Sequence, residues 1–324
     1  MKLIRVRAVV RAALGAVLLA VGVAAHAADS VSVRLKWFHQ AQFAGFYVAK
    51  EKGFYEAAGL DVAVQPGGPD FPAIQMVAGG DEAFGVTSAD QILVARSKGV
   101  PVVALAVLYR KSPFVLFSLK ASGIDGPARF AGKKIGLKIG GNEELVYRAV
   151  LKKAGVPAQG VTEIPVKFDM TPLLTGQVDV WPGYVINEVI AAREKGFDVN
   201  VIWPSDYGID MYADTLFTTE KVLREQPALV RRFVAATLKG WSDAVALPED
   251  AARITVKAGN KLSYAHELAM MKESIGLLQP DKLPIGSMQP ARWAALQEQL
   301  IQGGFLKAPL DLDKAYTTRF VDTP

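Results

Sequence analysis

The chain alternates strand-like and helix-like segments twice over, and few architectures satisfy that pattern. Val31 to Leu35 reads as a strand, the segment after Ala44 as a helix ending at Gly59, and Asp61 to Val64 as a second strand. A turn-rich stretch from Gln65 to Asp70 follows, then a short helix around Ala73 to Val77 stopped by Gly79 and Gly80. Ala83 to Val86 is a brief strand, and Ser88 stands as N-cap before a helix from Ala89 to Lys98. Val100 to Leu108 is so apolar and β-branched that it reads as a buried strand. The pattern resumes after Asp125. Strands are expected at Lys134 to Lys138, Val161 to Val166, Val178 to Trp181 and Val199 to Trp203. Helices are expected at Asn142 to Ala154, Met170 to Leu174 and Asn187 to Lys195. Each run predicts a mostly parallel sheet with helices on both faces, so the class is α/β.

After Thr218 helical segments dominate: Lys221 to Glu225, Ala228 to Ala246, Glu249 to Lys257, His266 to Leu278 and Ala291 to Gln302. Helices that cannot bury an apolar face alone are expected to pack back on an existing sheet. Two extended stretches, Ser112 to Leu119 and Asp214 to Thr218, are expected to connect the two α/β units. Two such crossings make a hinged, two-lobe protein. Lobe 1 takes residues 28–114 plus 217–324, and lobe 2 takes 115–216. Ligands of open α/β sheets sit beyond the carboxyl ends of the strands. Two sheets facing each other enclose one site.

The first 27 residues set the location. Lys2, Arg5, Arg7 and Arg11 are followed by an apolar run from Ala12 to Ala25 and by Ala25-His26-Ala27. A charged start, a short apolar middle and a small-x-small site are the order of a cleaved signal peptide. Cleavage after Ala27 removes four positive charges, so the formal charge falls from +5 to +1. The basic character belongs to the leader, and a nucleic-acid partner is not expected. With no cysteine there is neither a disulfide nor a lipidated N-terminal Cys. A soluble, freely diffusing periplasmic monomer is the expectation.

Much chemistry is missing. Only His39 and His266 remain after the leader, so multi-histidine and thiolate metal sites are excluded. There is no phosphate-binding loop ending in Gly-Lys-Ser/Thr, no G-x-S-x-G elbow and no dinucleotide glycine fingerprint. No catalytic residue, metal or cofactor is expected.

Unusual residues instead collect in loops at the expected strand ends. Trp37, Gln40, Gln42 and Phe43 bring rings and amides together, as a site for a flat heteroaromatic ligand would. Trp37 and Phe43 serve equally well as core residues closing a sheet. Gly67 stands in a turn where backbone can approach a ligand. Ser88 and Asp90 mark one strand-to-helix junction and Asn142 another, each also explained as ordinary helix capping. Asp90 opposes an anion and favours a neutral or cationic ligand. Trp181, Tyr184, Asn187 and Glu188 supply rings, an amide and an acid. Glu188 suits a ligand amino group, or needs no ligand as a first-turn helix acid. Tyr207 and Asp210 lie just before the second crossing.

The string KWFHQAQFAGFYVAKEKGFYEAAGLDV (36–62) resembles the opening of periplasmic binding proteins related to thiamine-pyrimidine synthases, whose wider kin bind nitrate, taurine and sulfonates for ABC importers. FGVTSADQILVARSKG (84–99), DVWPGYVINE (179–188) and PSDYGIDMYADTLFTTE (204–220) are similar to later segments of that superfamily. The resemblance runs from Ser30 to about Glu220 and is weak in the helical last third. It implies a venus-flytrap fold and solute capture, with an ABC permease and its ATPase as partners. It further implies an aminopyrimidine ligand, with Trp37, Tyr184 and Tyr207 as stacking rings and Gln40, Asn187, Glu188 and Asp210 as polar contacts. The synthase members rely on a cysteine-rich motif, and this chain has no Cys, so a synthase reaction is not expected.

Overall fold

The computed structural model describes residues 28–139 and 142–321, and the expected signal peptide lies outside them. Two five-stranded sheets organise the chain. The first contains β1 (Asp29–Arg34), β2 (Leu60–Gln65), β3 (Phe84–Ser88) and β4 (Val102–Val107). The second contains β5 (Phe114–Leu119), β6 (Lys134–Leu137), β7 (Thr162–Pro165), β8 (Val180–Tyr184) and β9 (Val199–Ile202). A tenth strand, β10 (Asp214–Thr219), returns to the first sheet. The orders are β2-β1-β3-β10-β4 and β7-β6-β8-β5-β9, so both sheets share one topology.

Parallel pairing joins β1 with β2 and β3, and β6 with β7 and β8. The two expected connectors are a different matter. Ser112 to Leu119 and Asp214 to Thr218 become strands within the sheets, and the expected lobe limits fall inside them. β5 lies antiparallel between β8 and β9, and β10 antiparallel between β3 and β4. The physical reason is burial. β10 is buried along its whole length and β5 along all but its last residue, and a run buried on both faces is best covered inside a sheet. The actual crossings are residues 108–113 and 203–213. They run side by side, with Leu108 and Tyr109 N–H donating to Asp214 C=O at 2.8 and 3.1 Å and Ala213 N–H to Tyr109 C=O at 3.0 Å.

The helical last third packs back on the first sheet. Pro227, Pro248 and Pro290 each occupy the first position of a helix, where a missing N–H costs nothing. The helix Pro227–Ala246 crosses Ala44–Glu51 at very close range. A Cβ on Gly240 would lie 2.2 Å from the Gly45 carbonyl oxygen, and one on Gly45 would lie 2.2 Å from the Trp241 ring. Ala104 N–H donates to Ala315 C=O at 2.9 Å, so the C-terminal segment covers the outer edge of β4. The helix Glu220–Glu225 is capped by Thr219, whose hydroxyl accepts from Val222 N–H at 3.2 Å. Thr219→Ala is expected to lower stability by about 1 kcal/mol in urea unfolding, the usual worth of a cap. Among the described residues no helix is long and apolar enough to cross a membrane.

Candidate functional site

The carboxyl end of β1 feeds a loop that faces the second sheet. Arg34 fixes its root by pairing with Glu82, donating to Pro66 C=O at 2.6 Å and lying 5.2 Å from the Phe71 ring centre. Gly67 N–H donates to Trp37 C=O at 2.9 Å. A Cβ on Gly67 would sit 2.0 Å from Leu35 C=O, so this approach requires glycine. The loop is thereby held while its side chains project into a cleft of about 670 Å³.

Both sheets line that cleft. Lys36, Trp37, Gln40, Gln42 and Ser88 belong to the first, and Lys138, Phe168, Tyr184, Asn187 and Glu188 to the second. Side-chain contacts bridge the two halves. The Trp37 and Phe168 rings meet edge-on with centroids 4.6 Å apart. Lys36 Nζ donates to the Tyr184 hydroxyl at 2.7 Å and lies 3.4 Å from Asp214 Oδ1. Gln42 Nε2 donates to Asp214 Oδ2 at 2.7 Å, and Gln40 Nε2 to Gln42 Oε1 at 2.6 Å. On the opposite wall Glu188 pairs with Lys138 at 3.2 Å and accepts from Tyr184 N–H at 2.9 Å. Asn187 Oδ1 lies 3.1 Å from His266 Nε2, while Glu194 meets His266 Nδ1 at 3.0 Å.

Burial and pairing compete at these charges. Burial disfavours the Lys36 ammonium, but Tyr184 and Asp214 outweigh it and hold the lysine pKa above its ordinary value. Burial pushes the Asp214 carboxyl up, with Lys36 and Gln42 pulling the other way. Burial also pushes up Asp90 and the Tyr184 hydroxyl.

Of the residues expected from sequence, the cleft gathers Trp37, Gln40, Gln42, Ser88, Tyr184, Asn187 and Glu188. Phe43 and Trp181 are fully buried in the core beneath it. Both stand in strongly apolar surroundings that close on them, which is the alternative left open for Phe43. Gly67 backs the loop, and its neighbour Gly68 faces the cleft. Asp90 is buried beside Ser88, with Gln91 Nε2 donating to its Oδ2 at 2.7 Å. Tyr207 and Asp210 stand away from the cleft: Tyr207 packs beside Gly126, and Asp210 pairs with Arg292 at 2.9 Å. They precede β10, and the strand's insertion between β3 and β4 carries only its first residue, Asp214, to the site. The side chain of Asn142 lies outside the described residues.

Sequence reasoning missed Lys36, Phe168 and Asp214. Lys36 heads the same string as Trp37, and Phe168 occupies a loop after a strand. Asp214 carries no local signal beyond being an acid at the head of the extended run Asp214-Thr215-Leu216-Phe217.

Residues 40–251 match the family model described as NMT1/THI5 like. The chain belongs to that family. Within this NMT1/THI5-like group it is similar to the riboflavin-binding protein RibY of Chloroflexus aurantiacus, at 28% identity over 90% of this chain and 86% of the relative. It is 26% identical to the formylaminopyrimidine-binding protein of Halalkalibacterium halodurans, over 90% of this chain and 91% of the relative. Among solved structures, the periplasmic aliphatic sulphonate binding protein SsuA of Escherichia coli superposes with a TM-score of 0.73. It covers 91% of this chain and 94% of its own at 14% identity, a likeness of fold. The NMT1/THI5-like chain thus has the two-lobe α/β architecture of periplasmic binding proteins.

Proposed function

We propose that this protein is the periplasmic solute-binding component of an ABC importer. It captures a small flat heterocycle, such as an aminopyrimidine thiamine precursor, and hands it unaltered to an inner-membrane permease powered by an ATPase. The two lobes close about the paired crossings 108–113 and 203–213, and the protein acts as a monomer exported by its signal peptide. The observation that carries this reading is the Trp37–Phe168 contact. Each half contributes one ring to a cleft that also carries amides, a phenol and paired charges among apolar side chains. A flat ring entering between such groups finds aromatic faces and hydrogen-bonding partners together. The names of the riboflavin- and formylaminopyrimidine-binding relatives agree with a flat nitrogen heterocycle.

A small anion is the second reading, and one observation favours it: Lys36, Lys98 and Lys138 all line the cleft. Calorimetry and thermal melting with riboflavin, a formylaminopyrimidine and an alkanesulfonate separate the two. A heterocycle at a hundred times its Kd is expected to add about 2.7 kcal/mol of stability. Small-angle scattering is expected to contract, and mass spectrometry to recover the ligand intact. Stabilisation by the sulfonate alone selects the anion. Turnover of the ligand, or no response to any probe, ends the proposal.

Glu188→Gln breaks the pair with Lys138 and makes the cleft more positive. It is expected to weaken an amino-bearing pyrimidine about threefold to tenfold, and a neutral analogue less, a loss on the scale of one ordinary hydrogen bond. Equal losses in calorimetry reject the pairing of Glu188 with an amino group.

A further inference from the structure

Asp214 opens β10, fully buried, where the chain returns from its second crossing. Its carbonyl is held by Leu108 and Tyr109 N–H of the first crossing at 2.8 and 3.1 Å, so its position is fixed by both crossings. As a carboxylate it can only accept hydrogen bonds. That restriction propagates. Gln42 turns Nε2 toward Asp214 Oδ2, which points Gln42 Oε1 at Gln40. Gln40 answers with its own Nε2, leaving the Gln40 carbonyl as its unused acceptor. On the other side Lys36 donates to Asp214 Oδ1 and to the Tyr184 hydroxyl oxygen. Lys36 has no lone pair to offer, so Tyr184 is the acceptor in that bond and keeps its proton for another partner. An amide or hydroxyl in place of the carboxylate would leave both orientations of Gln42 open. The chain therefore has two fixed ends, the acceptor-only carboxylate on the amide side and, on the tyrosine side, the donor-only ammonium it pairs with.

We propose that Asp214 is a positioning residue that sets the hydrogen-bond polarity of the cleft, directly through Gln42 and indirectly through the Lys36 ammonium it holds, so that Gln40 offers an acceptor and Tyr184 a donor to a flat ligand carrying both an N–H and a ring-nitrogen acceptor. This rests on the heterocycle reading above and adds a rule of selection to it. A ligand whose edge has donor and acceptor exchanged leaves both protein groups facing like partners, and unpaired buried polar groups discriminate strongly.

The test uses 4-amino-5-hydroxymethyl-2-methylpyrimidine and its 4-oxo counterpart, in which amino group and ring nitrogen become carbonyl and ring N–H. The wild type is expected to favour the amino form at least tenfold in calorimetry. In Asp214→Asn, whose amide can present either end, the ratio is expected to fall below threefold. Gln42→Met interrupts the same chain at its next member and is expected to do likewise, so the inference stands or falls on it if Asp214→Asn does not fold. An affinity loss equal for both pyrimidines, with the ratio preserved, gives Asp214 a merely structural role and overturns the inference. A wild type that binds both forms equally overturns it too and leaves the heterocycle reading intact. A wild type that binds neither pyrimidine overturns both.

Discussion

Trp37→Ala is expected to weaken ligand binding by about 1–3 kcal/mol, or roughly fivefold to 150-fold, while the protein stays folded. The indole is half-buried, held by its backbone bond to Gly67 and by edge contacts with Phe38 at 5.1 Å and Phe168 at 4.6 Å. Removing it takes away a face for the ligand and the aromatic contact between the halves. Trp37→Phe is expected to retain much of the affinity. Phe168→Ala should lower affinity in the same direction. Because the two rings touch, a double-mutant cycle should give a coupling of about 0.5–1.5 kcal/mol. Calorimetry on variants with unchanged circular dichroism decides it, and wild-type affinity in Trp37→Ala would remove the ring from the site.

Trp241→Ala is expected to cost about 3–5 kcal/mol of folding stability. Since domains of this kind are stable by only about 5–15 kcal/mol, that is a large share of the whole. Trp241 is fully buried where the helices Ala44–Glu51 and Pro227–Ala246 cross. Its ring fills the space that Gly45 leaves and meets Phe46 and Tyr109 with centroids 6.3 and 6.0 Å apart. Alanine leaves a cavity that two closely packed helices cannot collapse into. The indole Nε1 has no hydrogen-bond partner, so Trp241→Phe is expected to lose much less. Urea unfolding measures both, and a loss below about 1 kcal/mol for the alanine variant would contradict the packing argument. Tyr109 belongs to the first crossing and its hydroxyl bonds Ser274 at 2.9 Å, so the same cavity would loosen that crossing.

Most of the architecture was legible because period and composition report burial directly. The parallel strands emerged where alternation or β-branched runs were bounded by glycine and polar turns. The C-terminal helices were recognisable even though their first residues, Pro227, Pro248 and Pro290, were left outside. What periodicity could not separate was an apolar connector from an apolar central strand, since both lack alternation. β5 and β10 were lost to that ambiguity. The site was legible to the extent that loops at strand ends carried surplus rings and amides. Trp37 and Tyr184 were found that way, and Phe43 and Trp181 were over-read by the same logic, because a core also collects rings. Asp214 escaped because its role depends on a pairing between distant strands that local sequence does not encode.

The place of β10 between β3 and β4 carries a consequence for biosynthesis. Residues 28–107 emerge with a gap in their sheet that nothing fills until residue 219 has been made. The strands of the second sheet, by contrast, are all present once residue 202 is out. A chain threaded N-terminus first can therefore complete its middle before its beginning, reversing the usual vectorial order. The early segment has to remain open, with two unmated strand edges, for more than a hundred further residues. That delay leaves those edges as the place where a stalled chain would first aggregate.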